Sequence, residues 1–236
     1  MSVKLEDLLN ELVVANHILA NENVVDSFGH ISIRNPDNLN HFFRSCSRAP
    51  ELVSRDDIME FDLEGNSVDG STLTPYGERF IHGAIMEARP EVQSVVHNHS
   101  LSVIPFGVTG TQLQPIIHTG AAIGRDIPIW DIHDNFGDTD LLVRNMDQGR
   151  DLAKCLGDSS VILMRGHGCS VTGPDIKGAT LIAVYLQISA TLQLQSMPLG
   201  DVRYLTPGES EKCTELFFSG LAMDRVWENL TSRLTR

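Results

Sequence analysis

Apolar residues recur every three or four positions over residues 5–19, which is the spacing of one face of an α-helix. This pattern predicts an amphipathic helix at the start of the chain that ends near Asn21. The same spacing predicts one long helix over 175–197 and a last helix over 210–230. A threonine followed by a proline is typical of a helix cap and first turn, so a fourth helix is predicted over 74–88.

Four shorter segments have the pattern of β-strands. Residues 27–34 and 58–62 alternate between apolar and polar side chains, as a strand with one buried face does. Residues 92–96 and 161–164 are short runs with β-branched residues, which favour buried strands. Strands alternate with helices, and neither an internal repeat nor a flexible linker interrupts them. The chain is therefore predicted to form a single α/β domain over residues 1–236.

The charge balance is acidic, with 18 Lys and Arg residues against 31 Asp and Glu residues and a net charge of −13. Because phosphate contacts need clustered cations, we expect neither a nucleic-acid partner nor an acidic membrane surface. No apolar run approaches the roughly 18 residues of a membrane helix, and the acidic first turn is unlike a signal peptide. Four widely spaced cysteines do not form a disulfide framework. These features predict a cytoplasmic protein.

The strongest chemical signal is a pair of histidines, His97 and His99, at the end of the strand predicted over 92–96. Residues i and i+2 of a strand point to the same face, so both imidazoles can converge on one metal ion. A third histidine, His167, stands between two glycines directly after the strand predicted over 161–164. Either motif alone arises by chance in a chain with nine histidines. Their common position at strand ends favours a catalytic metal site of three histidines with one open position.

Glu78 is a candidate acid/base in the first turn of the helix predicted over 74–88. A helix dipole favours any carboxylate at that place, so a capping charge is the alternative, and position alone favours it. The other histidines are assigned no chemical role and are interpreted as surface or core residues: His17, His41, His82, His118 and His133.

Together these residues give the chain a resemblance to the class II aldolase/adducin-head family. The matching elements are Gly29-His30-Ile31-Ser32 in place of the usual Gly-Asn-x-Ser, then Glu78, His97-x-His99 and Gly-His167-Gly. They stand in the family's order and at about its spacings over residues 5–220. The resemblance implies a single-domain α/β/α sandwich around a central mixed, largely antiparallel sheet. It also implies a divalent metal ion (Zn²⁺ or Mn²⁺, with Fe²⁺ as a further candidate) on the three histidines, and Glu78 as acid/base.

Two departures point to one branch of that family. Sugar-phosphate members hold phosphate with two small hydroxyl residues before the glutamate and with an earlier Thr-Gly loop, whereas this chain has Tyr76-Gly77 and 46–50 (CSRAP) there. The run 77–83 is similar to 3-hydroxy-2-methylpyridine-4,5-dicarboxylate and dihydroxyphthalate decarboxylases, whose substrates are hydroxylated aromatic carboxylates. His30, Arg48 and Tyr76 are therefore the predicted substrate-binding residues, with His30 and Arg48 orienting a second carboxylate.

Decarboxylation and retro-aldol cleavage both break a C–C bond and leave electrons on carbon. A divalent metal ion would stabilise this charge as an enolate or phenolate, and Glu78 would supply the proton. We therefore predict a metal-dependent decarboxylase of a hydroxy-aromatic or related hydroxy/keto carboxylic acid. The alternatives are an aldolase acting on an unphosphorylated carbonyl substrate, an Fe(II) oxygenase on the same fold and a non-catalytic scaffold. Retention of the three histidines and the glutamate speaks against the scaffold.

The assembly is also predicted through the resemblance. Related enzymes are cyclic tetramers with active sites between neighbouring subunits, which implies a homotetramer here. The helix predicted over 175–197 carries more apolar residues than one core-facing stripe needs, which supports an interface. A helix buried on two sides within one subunit is the alternative.

Overall fold

A seven-stranded sheet forms the centre of the computed structural model, which describes residues 3–234. The strands are β1 (His30–Arg34), β2 (His41–Ser45), β3 (Ile58–Asp62), β4 (Ser94–Asn98), β5 (Ile129–Trp130), β6 (Val161–Met164) and β7 (Gly168–Gly173). They lie side by side in the order β3-β2-β1-β4-β7-β6-β5. Only β5 and β6 pair in parallel; the other neighbours are antiparallel. The sheet is mixed and largely antiparallel, as predicted.

Helices cover both faces of this sheet. They are α1 (Val3–Asn21), α2 (Arg79–Ala88), α3 (Ile104–Thr109), α4 (His133–Phe136), α5 (Met146–Leu156), α6 (Ile176–Ser196), α7 (Pro207–Phe217) and α8 (Leu221–Arg233). Side chains of β4 alternate between two cores: Val96 packs in the core that contains α1 and α6, and Val95 packs in the core that contains α2 and α5. The predicted single-domain α/β/α sandwich is confirmed. None of the described helices is long and apolar enough to cross a membrane.

Four elements begin and end close to their predicted bounds. The first helix ends at Asn21 and the long helix runs from Ile176 to Ser196, one residue shorter at each end than predicted. Strands β3 and β6 have the predicted bounds. The local sequence of these segments is enough to predict their bounds. The long helix, for example, is capped by Asp175, whose carboxylate accepts a hydrogen bond from the Gly178 N–H at 2.6 Å.

Two predicted helices were wrong in extent. The helix predicted over 74–88 begins only at Arg79, because Thr74 and Tyr76 bind the loop after β2 instead. The Thr74 carbonyl accepts the Ser47 N–H at 2.7 Å, and the Tyr76 hydroxyl donates to a backbone carbonyl of the same loop. The helix predicted over 210–230 is two helices, since Gly220 has a φ of +54° between α7 and α8.

Strands β2, β5 and β7 and helices α3, α4 and α5 were not predicted. Helix α5 lies beside α2, and Gly149 allows the two to approach closely. A Cβ at Gly149 would lie 2.7 Å from the Phe80 carbonyl oxygen and 2.9 Å from the Ala84 Cβ. The glycine that weakens the helical signal of α5 is thus required by the packing of α5 on α2. This packing fixes α2, which begins directly after Glu78.

Candidate metal centre

Four side chains converge at one end of the sheet: Glu78 before α2, His97 on β4, His99 just after β4, and His167 in the turn between β6 and β7. The His99 Nε2 lies 3.2 Å from the His97 Nε2 and 3.1 Å from the His167 Nε2. The Glu78 Oε2 lies 3.6 Å from the His97 Nε2 and 3.5 Å from the His167 Nε2. The structure therefore brings together the four residues that the sequence singled out, and we call them the four-donor cluster.

Strand pairing and one turn bring these side chains together. The antiparallel register of β4 and β7 places Asn98 opposite Cys169, so the turn before β7 meets the end of β4. Gly166 adopts a φ of +68° in that turn. A Cβ on Gly168 would lie 2.1 Å from the Asn98 carbonyl oxygen, so only glycine allows this approach. The two glycines beside His167 thus position its ring against the histidines of β4.

Hydrogen bonds on the far side of two rings set their tautomers. The His99 Nδ1 lies 3.0 Å from the Asp26 carboxylate, so it carries the ring proton and leaves a lone pair on Nε2. The Ser170 hydroxyl donates to the Met164 sulfur, so the His97 Nδ1 donates to the Ser170 oxygen at 3.3 Å. Both Nε2 lone pairs then face the centre of the cluster. A carboxylate or hydroxyl behind a histidine is the usual outer partner of a metal ligand.

A divalent ion fits this arrangement. Zinc bound to nitrogen and oxygen at about 2.1 Å in a tetrahedron separates its ligand atoms by about 3.4 Å. The two separations between histidine nitrogens given above, 3.1 and 3.2 Å, are close to that value. Facing lone pairs repel one another in the absence of a cation, so the geometry of the three histidines favours an ion between them. His97, His99 and His167 would hold it, and Glu78 stands next to them.

The ionisation of the cluster also suits a cation. His97 is fully buried, and burial lowers its pKa to about 3 although Glu78 opposes the shift. Burial raises the pKa of Glu78, but His97, His167 and the Val143 N–H together outweigh it and lower the pKa to about 2. The Val143 N–H donates to the Glu78 Oε1 at 3.0 Å. At neutral pH His97 is therefore a neutral imidazole and Glu78 an ionised carboxylate, the forms that bind metal ions.

A cavity of about 520 Å³ opens above the four-donor cluster. Its volume lies within the range of small-molecule sites, roughly 300–1,000 Å³. Glu78, His99 and His167 form its polar end, and Arg144 at the rim donates to the Asp140 carboxylate at 2.6 Å. The apolar side chains that line it are Phe28, Tyr76, Leu141 and Leu142. The cavity thus combines a charged end with an apolar wall wide enough for a ring.

The three predicted substrate-binding residues lie in different surroundings. Tyr76 lines the cavity, and its hydroxyl donates to the Arg48 carbonyl at 2.7 Å. Arg48 itself donates to the Leu52 carbonyl at 2.7 Å and pairs with Asp57, away from the cavity lining. His30 is only 1% exposed and lies beneath Tyr76, with 4.9 Å between the ring centroids. A direct contact with substrate stays a prediction for all three.

Several contacts around the cluster were missed from the sequence. Asp26 and Val143 lie in irregular segments where no pattern marks a function. His82, which was assigned no role, is fully buried on α2, and its ring nitrogens lie 2.6 Å from the Ser32 hydroxyl and 2.7 Å from the His30 Nδ1. Its position four residues after Glu78 is the one sequence signal that could have placed it on the same helix face.

Comparisons with known proteins give matches over most of the chain. A family model described as Class II Aldolase and Adducin N-terminal domain matches residues 10–194. Decarboxylase tropJ of Talaromyces stipitatus is 39% identical over 196 residues, which are 78% of this chain and 74% of the relative. The 3,4-dihydroxyphthalate decarboxylase of Arthrobacter keyseri is 28% identical over 80% of this chain and 78% of its own length. The solved L-fuculose 1-phosphate aldolase from Glaciozyma antarctica has a TM-score of 0.78 at 23% identity, covering 96% of this chain and 88% of its own.

The matched region includes the whole four-donor cluster. Both named relatives are decarboxylases, which break carbon–carbon bonds, so the prediction of a carbon–carbon lyase is confirmed at that coarse level. The aldolase structure has the same fold. The chain therefore belongs to the class II aldolase and adducin N-terminal domain family.

Proposed function

We propose that the protein is a divalent-metal-dependent decarboxylase of hydroxy-aromatic carboxylic acids. The observation that carries this proposal is the four-donor cluster at the polar end of a largely apolar cavity. The names of the two decarboxylase relatives support the reaction type. Tyr76 and Gly77 line the cavity before Glu78, where a phosphate-binding member would need small hydroxyl side chains.

Each group of residues at the site has its own role in the proposed reaction. A divalent ion held by the three histidines would act as a Lewis acid and stabilise the negative charge left by loss of CO₂. We propose Zn²⁺ or Mn²⁺, with Fe²⁺ as the alternative, because imidazole nitrogen suits all three. Glu78 is ionised, so it first accepts the proton of a substrate hydroxyl and then returns a proton to the carbon that lost CO₂. Phe28 and Leu141 line the cavity, where they would contact the substrate ring and exclude water.

The test is release of CO₂ from 3,4-dihydroxyphthalate and from dihydroxybenzoates by protein purified without chelator. We expect CO₂ without oxygen uptake, loss of activity after chelation, and its return when Zn²⁺ or Mn²⁺ is added. Oxygen uptake that depends on Fe²⁺ would instead indicate the oxygenase. Cleavage of an unphosphorylated hydroxy-ketone without CO₂ release would indicate the aldolase.

We also propose that the protein is a homotetramer whose sites lie at subunit contacts. The helix that suggested an interface does not support it, since Leu181, Ile182 and Leu186 are buried within the monomer, as in the alternative interpretation. The support comes instead from exposed apolar side chains beside the site. Phe28 at the cavity is 64% exposed, and Leu101, two residues after His99, is 83% exposed.

This assembly predicts that activity depends on protein concentration. Because each pocket would be completed by a neighbouring subunit, we expect a tetramer by sedimentation and loss of activity when dilution yields monomers. A Leu101→Asp variant should dissociate more readily and lose activity in parallel, whereas Leu39→Asp, at an exposed leucine outside the cavity lining, should do neither. A monomer that is fully active at the assay concentration would contradict the shared site.

A further inference from the structure

Arg44 on β2 is fully buried, yet its guanidinium has no hydrogen-bond partner in the part of the chain that the structure describes. All three of its nitrogens lack an acceptor. Burial lowers its pKa only to about 9, so it remains a cation at neutral pH. An unpaired buried charge is far more costly than an unmade neutral hydrogen bond. Such a group requires an explanation, and the direct one is an anion that binds there.

A second buried arginine shows what a structural role looks like in this fold. Arg34, on the neighbouring strand β1, donates to the carbonyls of Val92, Leu39 and Met86 at 3.1, 2.5 and 2.7 Å. It ties β1 to helix α2 and to the loops around it. Arg44 makes none of these bonds, so its burial does not serve the backbone in the same way. The contrast points to a ligand for Arg44.

The surroundings of Arg44 lead to the cavity. Its guanidinium carbon lies 4.9 Å from the centroid of the Tyr76 ring, and the His30 ring lies 4.9 Å from that same centroid. Tyr76 lines the cavity, while Arg44 and His30 do not. One aromatic ring at the cavity wall therefore contacts both buried groups. A turn of this ring would connect them to the cavity and would break the bonds of its hydroxyl to the Ser27 and Arg48 carbonyls.

His30 offers a second unpartnered atom at the same place. Its Nδ1 lies 2.7 Å from the His82 Nε2, and its Nε2 is buried without a partner. When the Ser32 hydroxyl donates to the His82 Nδ1 at 2.6 Å, the His82 Nε2 proton is donated to the His30 Nδ1. A neutral His30 then keeps its own proton on Nε2. In this tautomer the His30 Nε2–H and the Arg44 guanidinium are both donors without a partner among the described residues, and both groups contact the Tyr76 ring.

We propose that Arg44 and His30 form a carboxylate subsite at the inner end of the cavity, reached when the Tyr76 ring turns aside. The inference rests on the proposed decarboxylase and narrows its substrate to aromatic acids with two carboxylates. A carboxylate bound by a cation is stabilised in the ground state, which opposes its loss as CO₂. The carboxylate at Arg44 is therefore the one that the product retains, and the other is released near Glu78.

The test is binding of phthalate, an aromatic dicarboxylate without hydroxyl groups, to the metal-loaded protein by titration calorimetry. Catechol, which has the ring and no carboxylate, is the matched ligand. We expect Arg44→Met to weaken phthalate binding roughly tenfold or more while catechol binding is unchanged, because a charge-assisted bidentate contact is lost. Arg44→Lys should recover only part of the affinity. Arg48→Met tests the arginine that the sequence suggested.

The unfolding temperature is a second measurement, and it separates a ligand-binding role of Arg44 from a structural one. Without ligand, Arg44→Met should unfold at the same or a higher temperature than wild type, since it removes an unpaired buried charge. Arg34→Met should unfold at a lower temperature, because it leaves several carbonyls without donors. If Arg44→Met does not fold, the proposal is overturned unless a crystal structure of the wild type with phthalate shows a carboxylate on the Arg44 guanidinium.

Three results would overturn the subsite: unchanged phthalate affinity in Arg44→Met, a larger loss in Arg48→Met, or no phthalate binding to the wild type at millimolar concentration. Because phthalate lacks the hydroxyl group that the proposed reaction uses, we expect no turnover, and these results are then independent of the reaction. Absence of CO₂ release with intact, Arg44-dependent phthalate binding would instead count against the proposed decarboxylase alone.

Discussion

Replacing His97 by alanine should remove the bound metal and the activity while the protein remains folded. His97 is a fully buried member of the four-donor cluster, and its Nε2 lies 3.2 Å from the His99 Nε2 and 3.6 Å from the Glu78 Oε2. Loss of an outer partner of a metal ligand already costs about 10–100-fold in affinity, so loss of a ligand should exceed roughly 100-fold. The sheet does not need the ion to fold in a chain of this size. Metal content after dialysis, circular dichroism and activity measure the three consequences.

Two further variants should lose less metal affinity than His97→Ala. Asp26→Asn keeps an oxygen that can accept the Phe28 N–H but weakens the acceptor behind His99, so we expect metal affinity to fall by about 10–100-fold, less than for His97→Ala. His133→Ala removes an exposed histidine outside the cluster and should keep both metal and activity. A His97→Ala protein with a full equivalent of metal and normal turnover would contradict the assignment of this site.

The convergence of the three histidines was predictable because two local rules sufficed. The i and i+2 rule placed His97 and His99 on one side of β4, and the flanking glycines marked the turn that carries His167. The start of α2 was not predictable in this way. Its boundary depends on the contact between Tyr76 and the loop after β2, which is a tertiary interaction between segments 28 residues apart in sequence.

The same limit explains the residues that sequence reasoning missed around the site. Strand β2 has only five residues, which include Arg44 and a half-buried histidine at the first position, so its own pattern is weak. It forms because β1 and β3 supply hydrogen-bond partners on both sides. Asp26 meets His99 across 73 positions, and Val143 meets Glu78 across 65. No short sequence motif predicts contacts between residues so far apart in the chain. Arg44 stands out only in the folded structure, where it is buried and its nitrogens have no hydrogen-bond partner among the described residues.

Glu78→Gln should keep the metal and lower kcat by about 10²–10⁴-fold, the usual contribution of a positioned acid/base. The three histidines suffice to hold an ion, and the glutamine oxygen still accepts the Val143 N–H, so the local fold should persist. What is lost is a carboxylate that can carry a proton. Because the pKa of Glu78 is held at about 2, the wild-type group is ionised throughout the neutral range. The defect should therefore remain when the assay pH is raised.

Metal content separates this role from two others that the geometry allows. Glu78 Oε2 lies close enough to His97 and His167 to be a fourth ligand, and in that case Glu78→Gln would lose metal together with activity. Normal turnover would reduce Glu78 to a charge at the start of α2. Glu87→Gln is the matched control on the same helix, since Glu87 is partly exposed and pairs with Arg150, and it should change neither metal content nor kcat. Full metal with a slow reaction in Glu78→Gln, and not in Glu87→Gln, assigns the proton transfer to Glu78, the carboxylate that lines the cavity within the four-donor cluster.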